Sequence, residues 1–216
     1  MTQTAPTNDT SQDPRFRNTY GDADNLSQFV TAYADRLADT LKAVDQDALG
    51  RAIDVVAASA EAGRRIYVAG NGGSAAIGDH LCCDFTKGTY VDGHPPLKSH
   101  SLTSNSALYT ALANDFSFDE VLARQVGYYA EAGDVLIAVS SSGNSENILR
   151  AVACARHAGM TVIGLSGFTG GTLREACDIS LYTPVDNYGL VEDSHQALMH
   201  MIAQVIVIRR EHGVSW

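Results

Sequence analysis

The chain has 216 residues, 45% of them hydrophobic and 19% charged, with 15 Lys plus Arg against 25 Asp plus Glu and a formal net charge of −10. That balance fits a folded domain rather than a disordered chain, and the length suits one domain or two small ones. An acidic chain lacks the basic surface of a general nucleic-acid binder, and no apolar run reaches the roughly 18 residues of a membrane span.

Residues 1–22 are polar, rich in Thr, Asn, Asp, Gln and Pro, with no apolar h-region and no periodicity. They read as a loose arm without a secretory signal. Cys82, Cys83, Cys154 and Cys177 are too few and too scattered for a disulfide scaffold. A reduced, cytoplasmic protein is expected.

Leu26, Val30, Tyr33, Leu37, Leu41 and Val44 recur at spacings of three and four, one stripe of an amphipathic helix. A second helix is expected from about Asp47 to Ala62, stopped by Gly63. From residue 65 the rhythm changes. Arg65 to Ala69 is a short apolar strand, followed by Gly70-Asn-Gly-Gly73 and helical text from Ser74 to about Lys87. Ser99 to Thr103 reads as a weaker strand, with helical pieces around 105–112 and 117–131. Asp134 to Val139 is a strong strand, and a helix follows from Ser145 to Ala158. Thr161 to Leu165 and Asp178 to Tyr182 are further strands, and the last helix is expected from Asp193 to Arg209. Apolar strands alternating with helices predict a doubly wound α/β domain with a parallel sheet, over residues 23–212 as one domain.

In such a sheet the ligand site lies beyond the carboxyl ends of the strands. Two loops sit there: Ala69-Gly-Asn-Gly-Gly-Ser-Ala-Ala76 and Val139-Ser-Ser-Ser-Gly-Asn-Ser145. Small residues let backbone N–H groups approach an anion, and each loop runs into a helix N-terminus. Both point to a phosphate. The pattern is not a P-loop, for it carries no lysine, and it fits a dinucleotide fingerprint poorly. Glu146 would repel a dianion and is expected to point away.

The order GNGGSAA, AxANDFSFDEVL, AVSSSGNSENILRA and a final helix with HxxxxH resembles the sugar isomerase (SIS) domain, over residues 25–210. More narrowly it resembles the phosphoheptose isomerases, which convert sedoheptulose 7-phosphate to a glycero-manno-heptose 7-phosphate. The resemblance implies a five-stranded parallel sheet preceded by two helices, a homotetramer, and active sites between subunits. It implies phosphate binding by Ser74, Ser140, Ser142 and Ser145 beside Gly72 and Gly73. Asn71 and Ser141 would line the sugar, and Asn114-Asp115 would meet its hydroxyls. It further implies a Zn²⁺ site at His80, Asp84, Glu192 and His200, with Glu192 bordering the substrate and Asp84 and His200 as the proton-transfer pair. Asp84 stands where the family has Glu, Glu192 where it has Gln, and Lys87-Gly88 where it has Arg.

The residues alone leave other readings open. His80 and Asp84, four apart on one helix face, also suit a surface pair. His200 also suits a core histidine among Met199, Met201 and Ile202. His195 is a rival ligand, three residues after Glu192, and Cys83 a soft one. Two functions compete: a metal-assisted isomerase of this or another sugar phosphate, and a non-catalytic SIS-domain adaptor that only binds a phosphosugar. No nucleic-acid or membrane partner is expected.

Overall fold

The computed structural model describes residues 23–216, so the expected arm over 1–22 lies outside the described residues. Helices α1 (Leu26–Lys42) and α2 (Gln46–Glu61) come first. Then follow β1 (Arg65–Ala69), α3 (Gly73–Cys83), β2 (Lys98–Ser101), α4 (Ser106–Asp115), α5 (Val121–Tyr129), β3 (Val135–Ser140), α6 (Glu146–His157), β4 (Thr161–Ser166), α7 (Gly171–Ala176), β5 (Ile179–Tyr182) and α8 (Tyr188–His212). Among the described residues no helix is long and apolar enough to cross a membrane.

The five strands are all parallel, in the order β2-β1-β3-β4-β5. β1 and β3, side by side, are where the order reverses, so their loops open a crevice at the carboxyl edge of the sheet. One face buries Val56, Ile137, Leu165, Leu198 and Ile202 under α2, α3 and α8. The other buries Leu136, Val162, Leu122 and Ile148 under α4 to α7. β3 is buried along its whole length, which is why its continuous apolar run reads so clearly. A small third cluster of Val185, Leu190 and Val191, with Tyr33, Leu37 and Phe168, ties α1 to the start of α8. Leu26 and Val30 of the α1 stripe stay exposed, at 77% and 58%.

Three departures from the expected elements bear on function. The helix expected to Lys87 ends as α-helix at Cys83 and continues as one π turn over Asp84–Gly88, closed by Thr89 N–H donating to Asp84 O at 2.9 Å. The final helix begins at Tyr188 rather than Asp193. Asn187 caps it, accepting from Leu190 N–H at 3.1 Å, and this outweighs the low helix propensity of Gly189. Glu192 therefore sits inside the helix. The short α7 was not expected at all.

Candidate active site

Helix starts divide into two kinds. α1, α2, α4 and α8 each begin at an Asn or Asp whose side chain accepts from a first-turn amide. α3, α5, α6 and α7 begin at Gly72, Glu120, Ser145 and Gly170 with no side-chain cap. Of these, α3 and α6 are the two that leave the crevice loops. Ala75 N–H donates to the Asn71 and Gly72 carbonyls, and Ile148 N–H to Asn147 Oδ1, while the positive ends of both dipoles face the crevice.

Between the loops lies a cavity of about 170 Å³ lined by Asn71, Ser74, the Ser140–Ser142 run, Ser145, Tyr188 and Glu192. Ser74, Ser140 and Ser141 are buried. Ser140 Oγ donates to Ser145 Oγ at 3.4 Å. Gly143 turns the loop at φ 67°, and a Cβ there would come within 2.0 Å of Gly170 O, so only glycine fits. Glu146 does point away: its carboxylate accepts from Arg150 Nε at 2.7 Å. Asn71 and Asn147 clamp the loops together, each side-chain amide donating to the other's carbonyl, at 2.9 and 2.8 Å.

A second group lies across α3 and α8. His80 Nε2 is 3.6 Å from Asp84 Oδ2, and His200 Nε2 is 3.3 Å from the same oxygen. The two imidazoles meet edge to face at 5.1 Å. Among the described residues these three donors form the set able to hold a metal ion, all within 4.8 Å of one another. Their side chains are 51%, 28% and 40% exposed, so the group opens to solvent. A cavity of about 470 Å³ lined by Asp84, His200, Gln204 and Val207 adjoins it. Asp84 is also the first residue of the π turn, a local irregularity often found at functional sites.

Glu192 does not join this trio. Its carboxylate packs on Gly73, where a Cβ would lie 2.5 Å from Glu192 Oε2, and it borders the serine cavity. Burial, and then the charge of Asp193, raise its pKa. Asn114 and Asp115 are exposed at the end of α4, bonded to each other at 2.9 Å, and line neither cavity of this chain. Lys87 and Cys83 are exposed and lie outside the trio. His195 is fully buried, and neither ring nitrogen has a well-aligned hydrogen bond among the described residues. Burial pushes its pKa down to about 4, while the Ser166 main chain pulls weakly the other way. It is a neutral core histidine.

Residues that the sequence reading passed over are Asn147, Tyr188 and Gln196. Gln196 Nε2 lies 3.1 Å from His200 Nε2. Glu192, Gln196 and His200 recur every four residues on one face of α8, and that spacing is the signal that could have found Gln196.

The SIS domain family model matches residues 29–167. The phosphoheptose isomerase of Rhodospirillum rubrum is 38% identical over 186 residues, covering 85% of this chain and 96% of that one. The chain belongs to the phosphoheptose isomerase family of SIS-domain proteins. The phosphoheptose isomerase of Mycobacterium tuberculosis is 41% identical over 151 residues, covering 70% of this chain and 76% of that one. The structure of a phosphoheptose isomerase from Francisella tularensis superposes with a TM-score of 0.77 at 30% identity, over 83% of this chain and 95% of that one. Family membership agrees with the five-stranded parallel sheet and with the two preceding helices.

Proposed function

We propose that this SIS-family isomerase interconverts sedoheptulose 7-phosphate and a glycero-manno-heptose 7-phosphate. The observation that carries the reading is the pairing of a serine-lined cradle with an acid–base trio, both bordered by α8. Glu192 at the cradle and His200 in the trio are eight residues apart on α8, about 12 Å along its axis. That span suits a seven-carbon sugar phosphorylated at one end and reacting at the other.

The phosphate would sit against the Ser74, Ser140, Ser142 and Ser145 hydroxyls and the N-terminal ends of α3 and α6. In the ketose-to-aldose direction one proton moves from C1 to C2, and another moves from the C1 hydroxyl to the C2 oxygen. Asp84 and His200 are the pair to carry them. Two imidazoles and a carboxylate with an open side suit a divalent cation such as Zn²⁺ by donor chemistry, held by His80, Asp84 and His200. Bound there, the ion would polarise the sugar carbonyl. Glu192 is the fourth ligand in this reading only if its side chain leaves Gly73. Asn114 and Asp115 could meet a sugar only in a neighbouring subunit. A homotetramer, supported by the exposed Leu26 and Val30 of α1, is therefore part of the proposal, as is a cytoplasmic location.

Purified protein supplied with zinc and sedoheptulose 7-phosphate is expected to form an aldose phosphate, read by NMR of the anomeric protons. Absence of turnover with heptose and pentose phosphates alike would overturn the enzyme reading and leave the binding adaptor.

A further inference from the structure

A cavity of about 640 Å³ lies at the opposite end of β1 from the serine cradle. β1 runs from Arg65 to Ala69, so about 13 Å of strand separates the two ends. The floor is set by strand register: Arg65 lies opposite Lys98, and Tyr67 opposite His100. Alternation puts all four side chains on one face. β2 is an edge strand, and the wall comes from Tyr128 and Tyr129 at the end of α5 and from Asn105.

Two features of this cavity are not explained by folding. First, like charges directly opposite one another weaken a sheet, yet Arg65 and Lys98 are so placed in a chain of net charge −10. Their compensation is thin. Arg65 Nη1 is 3.7 Å from a Glu131 carboxylate that Arg64 also approaches, at 4.0 Å. Lys98 Nζ donates to the Gly63 carbonyl at 3.2 Å. Second, exposed aromatic rings gather around the core residue Tyr67. His100 stands edge-on to Tyr67 at 6.3 Å and to Tyr129 at 6.2 Å, while Tyr128 is 58% exposed.

We propose that this cavity binds a nucleoside phosphate. The base would stack on Tyr128 and the exposed His100, as bases do on aromatic side chains. The phosphate would take Lys98 and Arg65, drawing Arg65 from its loose pair with Glu131. Asn105 accepts the Leu108 N–H through Oδ1, at 3.1 Å, and keeps its amide protons for the base edge. The volume lies within the roughly 300–1,000 Å³ of small-molecule sites. No cradle residue is used, so the site is independent of the isomerase reading.

The test is calorimetric titration of the full chain with ADP, GDP, UDP and CDP in turn, at low salt, repeated on a Ser142→Ala variant with an impaired cradle. At least one is expected to bind with Kd below about 1 mM, and the matching nucleoside more weakly. Lys98→Ala and Tyr128→Ala should each weaken binding about 10-fold or more, with circular dichroism and sugar-phosphate turnover unchanged. Failure of all four to bind, loss of binding in the Ser142→Ala cradle variant, or unaltered affinity in both cavity variants would overturn the proposal.

Discussion

The cradle and the trio are built by opposite means. The cradle is made of backbone: two uncapped helix starts, small residues and serines from two contiguous loops that the sheet sets side by side. The trio is made of side chains, brought from α3 and α8, more than a hundred residues apart in the chain. A site made of main chain tolerates the loss of one hydroxyl. A site made of three side chains does not tolerate the loss of one.

The largest effect should follow from breaking the trio. His200→Ala or Asp84→Asn is expected to lower kcat by about 10²–10⁴-fold with the fold intact, measured by steady-state kinetics beside circular dichroism. Asp84→Glu sharpens the point. Asp84 Oδ2 already lies 3.3 Å from His200 Nε2 and 3.6 Å from His80 Nε2, so an added methylene overshoots and should also lower kcat. A rise in kcat would show that the pocket is set for the longer acid.

His195 is the control on the same helix, facing the core. Its folded pKa, about 4, lies below the ordinary histidine value of 6.5. Between those values the unfolded chain binds more protons, so stability falls as pH falls from 6.5 toward 4 and is level above. The loss by pH 4 is on the order of 3 kcal/mol. His195→Gln should flatten this slope in thermal melts across pH 4–7 and leave kcat at neutral pH largely as it was.

The smallest effect tests the clamp between the loops. Asn147→Ala leaves the Asn71 amide without its reciprocal partner, which costs about 1–3 kcal/mol of stability. Because Asn147 orients the cradle and not the trio, KM should rise several-fold while kcat changes little. Equal losses in both would show that the two regions are coupled.

The two loops were legible because each is contiguous in the text, rich in glycine and serine, and runs into a helix. Strands β1, β3 and β4 were legible because buried parallel strands are written as unbroken apolar runs. β2, with the sequence Lys-Ser-His-Ser, is an edge strand and carries little of that signal. The π turn was hidden because Phe85 is buried as it would be in a continuing α-helix, and periodicity cannot register one extra residue per turn. Glu192 was placed by analogy to a ligand position. Its actual direction depends on Gly73, whose missing Cβ makes the room that its carboxylate fills. Asn147 was missed because its partner is 76 residues away, and no local pattern announces a contact at that range.

The open starts of α3 and α6 tie occupancy to stability. An anion bound between them would add hydrogen-bond acceptors at two helix starts that carry no side-chain cap, and would stabilise the folded state it binds. On the proposed reading, the molecule acted upon would double as a structural element. Sulfate or inorganic phosphate, as a competitor for that position, would occupy the cradle and steady the fold by the same contacts.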